Sequence, residues 1–126
     1  MKNIMFILYV ADQAKSKVFY QNVLQLEPVV DVPGMTEFTL ENGVMIGLMP
    51  NEGIAKILGD ALPHPGKGQG IPRCELYLKL DDARSYIDRA LNAGATPVSP
   101  MQERPWGDTA GYVADPDGHV LAFAEE

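Results

Sequence analysis

The sequence predicts an α+β fold made of two βαβββ modules in tandem, whose curved sheets leave a cleft. Three observations predict it. A tight turn between segments of strand length occurs twice: Glu41-Asn42-Gly43 between residues 36–40 and 44–49, and Asp115-Pro116-Asp117-Gly118 between residues 109–114 and 119–124. In such turns Pro presets φ and Gly tolerates positive φ. Each hairpin is preceded by an apolar strand and a helix with one apolar stripe. The copies also keep their distance, since Leu76 follows Phe6 by 70 residues, Tyr86 follows Phe19 by 67 and Pro97 follows Pro28 by 69.

Taken in order, residues 4–10 read as a strand apolar on both faces, and Asp12 offers an N-cap for a helix over residues 14–24. Phe19, Tyr20, Val23 and Leu24 form its buried stripe. Pro28 ends the helical region, Val29-Val30 begins the first of three strands, and Pro33-Gly34 and Asn42-Gly43 supply the turns. Residues 51–72, rich in Gly and Pro, read as a linker with a short helix over 54–58, between module 1 (residues 1–50) and module 2 (residues 73–126) of a single domain. Within the linker, Gly66-Lys67-Gly68-Gln69-Gly70 superficially suggests a phosphate loop. No Ser or Thr follows the lysine, however, and Pro72 stands where a helix would have to open. The second module repeats the first: a strand over 75–80, a cap at Asp81-Asp82, a stripe of Ala83, Tyr86, Ile87, Ala90 and Leu91, and a stop at Gly94.

Composition bounds the function. The chain of 126 residues is 46% hydrophobic, enough for one compact domain. Its net charge of −7 is the wrong sign for a nucleic-acid backbone or an anionic membrane, so neither is expected as a partner. Cys74 is the single cysteine, which rules out an intrachain disulfide and an all-cysteine metal site and leads us to expect a reducing, cytoplasmic location. Lys2 with the apolar run over 4–11 imitates a short signal peptide, but a small-x-small cleavage site is missing. No segment approaches the roughly 20 apolar residues of a membrane span.

Two stretches carry a family resemblance. Trp106-Gly107-Asp108 running into Tyr112-Val113-Ala114-Asp115-Pro116-Asp117-Gly118-His119 resembles the closing hairpin of the glyoxalase, bleomycin-resistance and extradiol-dioxygenase group, the vicinal oxygen chelate superfamily. Tyr9-Val10-Ala11-Asp12 leading to Phe19-Tyr20-Gln21-Asn22-Val23-Leu24 resembles that group's first strand and helix. The resemblance implies the fold, and a homodimer whose clefts are completed by strands of both subunits. In metal-dependent members it implies one ligand on the first and one on the last strand of each module. Carried over to this sequence, those positions are Met5, Gly47, Glu75 and Ala122, of which only Glu75 suits a hard or borderline divalent ion. His64 and His119 lie outside the pattern and read as loop and turn residues.

Alternation along the strands says which side chains face the cleft. Leu76, Leu78 and Leu80 mark the helix-packed face, so Glu75, Tyr77 and Lys79 point the other way; by the same offset Phe6, Leu8 and Val10 meet the helix while Met5, Ile7 and Tyr9 face the cleft. Cys74 has helix-face parity and reads as inert. Met5, Met45 and Met49 share cleft parity, as pocket lining or as core filler. Trp106 reads equally as a cleft-lining aromatic or a hairpin anchor. A carboxylate at Glu75 among apolar neighbours is expected to be partly desolvated and to need a partner: Lys79, Arg73, water or a ligand cation.

The leading expectation is a metal-independent small-molecule-binding protein of the sequestering type, with no cofactor. Its ligand-binding residues would be Glu75, Met5, Ile7, Gly47, Tyr77 and Ala122, with Trp106 and Tyr112 near the rim. The alternatives are a divalent-metal-dependent lyase (of the lactoylglutathione-lyase type), isomerase or dioxygenase of the same superfamily, and a domain whose cleft serves a protein partner or regulation.

Overall fold

The computed structural model describes residues 1–68 and 70–126; Gln69 of the Gly-rich segment lies outside them. The chain runs β1 (Ile4–Val10), α1 (Gln13–Leu24), β2 (Val30–Val32), β3 (Met35–Thr39), β4 (Val44–Pro50) and α2 (Asn51–Leu58). It continues with β5 (Glu75–Lys79), α3 (Ala83–Asn92), β6 (Thr96–Glu103), β7 (Thr109–Ala114) and β8 (Val120–Glu125). Two four-stranded sheets result, ordered β1-β4-β3-β2 and β5-β8-β7-β6. In each, the module's first strand pairs parallel with its last and the remaining pairs are antiparallel. The two βαβββ modules are therefore present as the repeat predicts. Among the described residues no helix is long and apolar enough to cross a membrane.

The described chain divides into two compact units, Met1–Gln21 with Gln25–Gln69 and Asn22–Leu24 with Gly70–Glu126. In the first unit, Asp12 caps α1 by accepting from the Lys15 N–H at 3.0 Å, as expected. Gln13 then ties the start of α1 to the β2–β3 turn: its Nε2 donates to the Val32 carbonyl at 2.8 Å and to Thr36 Oγ1 at 2.9 Å, while its Oε1 accepts from the Gly34 N–H at 2.9 Å. Lys17 pairs with Asp31, whose carboxyl is held below the ordinary range by hydrogen bonds from Lys17 and then Thr36. Phe38, Ile46, Leu48 and Val10 are fully buried, each contributing about 1.5–3 kcal/mol of transfer free energy.

Several details depart from expectation. Phe6, of helix-face parity, is 54% exposed although Val10 of the same parity is fully buried, so on that face the core covers the end of β1 and not its start. The helix expected over 54–58 starts at Asn51 and packs against β4 and β1, so this part of the expected linker belongs to the first unit's structure. The last turn of α1, placed by the sequence in module 1, falls in the second unit, where Arg89 Nε donates to the Val23 carbonyl at 3.2 Å and satisfies one of the helix's terminal acceptors. Asp82 occupies the N-cap position of α3 but makes no capping hydrogen bond. Cys74 lies before β5 and is exposed.

In the second unit α3 lies on the face of Leu121 and Phe123, with the Tyr86 and Phe123 rings 5.9 Å apart. Gly111, the β7 partner of Phe123, allows this approach. A Cβ there would stand 2.4 Å from Ile87 Cδ1 and 3.1 Å from Met101 Sδ. The β7–β8 turn closes around Asp115, only 4% exposed. Asp115 Oδ1 accepts from the Asp117 and His119 N–H groups at 2.9 and 2.8 Å, Oδ2 meets His119 Nδ1 at 2.8 Å, and Gly118 takes φ of 90°. Burial works against the charged form of His119, but the hydrogen bond and charge of Asp115, aided by Asp117, outweigh it and lift the imidazole above its ordinary 6.5.

Two predictions follow from this packing. Gly111→Ala is expected to destabilise the chain by about 1–3 kcal/mol, the usual cost of overpacking, and Ile87→Val, which removes the clashing Cδ1, to recover part of that loss; chemical denaturation of the double-mutant cycle checks it. Because the folded pKa of His119 is raised, its pairing with Asp115 adds stability that is fully present below pH 6.5 and is lost as pH rises through the folded value. The stability difference between the native chain and His119→Gln is therefore expected to be largest below pH 6.5 and to shrink above it, with an NMR titration placing His119 above 6.5.

Candidate functional site

In the first unit, the register Met5↔Met45, Ile7↔Gly47 and Tyr9↔Met49 sets these residues on the face opposite Phe38, Ile46 and Leu48. Neighbouring side chains close over Gly47: a Cβ there would stand 3.1 Å from Met5 Sδ, 3.2 Å from Met35 Sδ and 3.3 Å from Ile7 Cγ1. Met5, Ile7 and Gly47 thus meet as the alternation predicted. Met35 joins them unforeseen, making four half-buried methionines of one parity on a single face.

In the second unit, Ala122 lies between its register partners Tyr77 and Tyr112 on the face away from α3, and is fully buried. Tyr77 anchors a hydrogen-bonded group. Its hydroxyl donates to Asp108 Oδ2 at 2.7 Å and accepts from Trp106 Nε1 at 2.9 Å. Lys79, two residues further along the same face, has its Nζ 3.4 Å from Asp108 Oδ1 and donates to Glu126 Oε1 at 3.2 Å. Asp108 is only 8% exposed, while Trp106 is 57% exposed, its indole edge tied and much of its ring in solvent. Trp106 thus ties the β6–β7 loop to β5, as the hairpin-anchor reading expects, while its ring stays exposed. The loop closes through Arg104 N–H to the Asp108 carbonyl and Gly107 N–H to the Arg104 carbonyl, at 2.8 and 3.0 Å, with Gly107 at φ of 103°.

The electrostatics follow from this group. Desolvation chiefly raises the Tyr77 phenol above its ordinary 10.0; the Trp106 N–H opposes and Asp108 reinforces that shift, so Tyr77 keeps its proton. The hydrogen bond to Glu126, then the charge of Asp108, raises Lys79. Arg104 lies over the Tyr112 ring at 5.0 Å and donates to Ser99 Oγ and to the Pro100 and Ala110 carbonyls. Tyr112 also borders an open groove of about 400 Å³ between α3 and β6, lined by Ile87, Leu91, Val98 and Met101.

Glu75 differs from expectation. It is exposed at the start of β5, an edge strand with β8 on one side, so it lacks the neighbours that would desolvate it. The partners expected for it are engaged elsewhere in the case of Lys79, which meets Asp108 and Glu126.

The four positions where the resemblance places metal ligands hold a thioether (Met5), no side chain (Gly47), one carboxylate (Glu75) and a methyl group (Ala122). That donor set does not fit a hard or borderline divalent ion, which needs several imidazoles or carboxylates converging. Asp115, Asp117 and His119 bring ligand atoms within 4.8 Å of one another. Both oxygens of Asp115 serve the β7–β8 turn described above. His64 is likewise a loop residue, bonded to Glu52 at 3.0 Å and accepting from the Gly66 N–H at 3.0 Å.

Comparison with known proteins agrees with this architecture. Residues 3–123 match the family model described as the Glyoxalase/Bleomycin resistance protein/Dioxygenase superfamily. An uncharacterized protein of Mycobacterium bovis is 32% identical over 121 residues, covering 94% of this chain and 79% of its own. Among solved structures, a glyoxalase-related enzyme from Fulvimarina pelagi aligns with a TM-score of 0.83 at 23% identity, over 100% of this chain and 88% of that one. A glyoxalase/bleomycin resistance protein/dioxygenase family enzyme from Burkholderia phytofirmans aligns at 0.81 and 17% identity, over 96% and 95%. At these identities the structural likeness speaks for the fold alone.

Proposed function

We propose a function from one premise, that this chain belongs to the Glyoxalase/Bleomycin resistance protein/Dioxygenase superfamily: it binds small molecules without a divalent metal, the first unit offering the sheet face of Met5, Ile7 and Gly47 and the second unit that of Tyr77, Tyr112 and Ala122 with Trp106 on the adjoining loop. The observation that carries the reading is the donor set, in which Met5, Gly47 and Ala122 stand where the superfamily's metal chemistry needs ligands. What those faces offer instead is apolar surface with a few fixed polar groups, the usual form of a small-molecule site. Four methionines of one parity supply adaptable, polarizable lining, and the tethered Trp106 supplies a flat one.

The assembly we propose is a homodimer whose strands complete each ligand site. Edge strand β1 supports it, with Ile4, Phe6, Ile7 and Tyr9 each at least 37% exposed. The single, exposed Cys74 is compatible with a reducing, cytoplasmic location. Glu75 belongs to the reading as an acidic group at the margin of the second unit's face, drawing in a cationic ligand more weakly as salt rises.

Metal analysis of the purified protein tests the core of the reading: far less than one divalent ion per chain is expected, and a tightly held stoichiometric ion would sink it. Titration calorimetry with a positively charged ligand tests Glu75. Because its charge is solvent-screened, Glu75→Gln is expected to weaken binding by less than the ~1.5–3 kcal/mol of a hydrogen bond to a charged group, and to leave thermal unfolding unchanged.

A further inference from the structure

The hydrogen bonds around Tyr77 have a direction that two of its neighbours impose. An indole nitrogen only donates, so in the 2.9 Å contact between Trp106 Nε1 and Tyr77 the hydroxyl oxygen must accept. A carboxylate only accepts, so in the 2.7 Å contact with Asp108 Oδ2 the Tyr77 proton must be given away. Lys79, an ammonium donor 3.4 Å from Oδ1, keeps Asp108 in the accepting role. The Tyr77 hydroxyl is left with one lone pair and no proton to offer.

We infer that Tyr77 is a specificity-determining residue that selects ligands bearing an N–H or O–H donor on a flat ring, the donor meeting Tyr77 Oη while the ring lies against Trp106. The inference rests on the reading of this face as a ligand face. Ring placement follows from the indole, whose edge is tied to Tyr77 while 57% of the residue stays exposed. Asp108 sets the polarity without touching the ligand, since it is 8% exposed and faces Tyr77 and Lys79.

The polarity is therefore reversible by one substitution. In Asp108→Asn the amide oxygen is required by Lys79, which leaves the amide NH2 facing Tyr77. Tyr77 then accepts from both Trp106 and Asn, both its lone pairs are used, and its proton turns outward. The variant should prefer ligands with an acceptor.

Three bicyclic probes separate the cases: indole, with one N–H donor; 1-methylindole, of similar shape without it; and quinoline, with a ring-nitrogen acceptor. Binding is followed by the Nε1–H resonance of Trp106, the only tryptophan in the chain. The native protein is expected to bind indole about five-fold more tightly than 1-methylindole, the worth of one neutral hydrogen bond, and Asp108→Asn to reverse the order of indole and quinoline. Equal affinities of the native protein for indole and 1-methylindole would overturn the inference while leaving the ligand face standing. So would a folded Asp108→Asn with unchanged preference, the result expected if the network only fastens the loop. If that variant does not fold, the indole pair on the native protein decides alone. No shift of the Trp106 resonance with any probe would overturn the ligand face and the inference together.

Discussion

Each module depends on the parallel pairing of its first strand with its last. That pairing sets the register in which Ile7 meets Gly47 and Tyr77 meets Ala122, and hence which side chains share a face. A slip of one residue would turn Met5 and Ile7, or Tyr77 and Lys79, to the opposite side. On β1 the fully buried Val10 and half-buried Leu8, and on β5 the half-buried Leu76 and Leu78, hold the register, because slipping would turn them away from the core. The faces opposite the core are a by-product of where the core must go.

Much of this was legible in the sequence, because strand alternation and turn chemistry are local. Asn42-Gly43 and the Asp115-to-Gly118 segment announced the hairpins, the repeat spacing announced two modules, and the leucines of β5 gave Tyr77 its direction. What alternation does not give is depth. Glu75 and Tyr77 share a parity, yet Glu75 sits at the exposed start of an edge strand and Tyr77 is half-buried, its hydroxyl bonded to Asp108 and Trp106. The Tyr77–Asp108 contact spans 31 positions and joins a loop to a strand, so no periodic pattern encodes it. The signal that was present is chemical: Trp106 and Asp108 flank Gly107 in a short hairpin loop, opposite a strand carrying Tyr77 and Lys79 on one face.

Met35 illustrates another limit. Its place beside Gly47 depends on the β3–β4 register, which the turn at Glu41–Gly43 sets by adopting a 3₁₀ form with Asn42 at φ of 61° and Gly43 at φ of 76°. The sequence marked a turn there without its type, and the type decides which β3 residues lie over Gly47. Phe6 shows a related limit, since it fits the helix-facing parity yet stays 54% exposed: parity says which side a residue is on, and only what packs on that side says whether it is covered.

Edge strand β1 has a bearing on colloidal behaviour. It offers backbone donors and acceptors along an apolar strand, the form that templates sheet-to-sheet association. Lys2 and Asn3 before it are the sort of polar flank that discourages such growth. A further restraint is the net charge of −7, which adds long-range repulsion to any growth beyond the proposed dimer. Net charge is thus a restraint on association that concentrated salt screens and mild acid reduces.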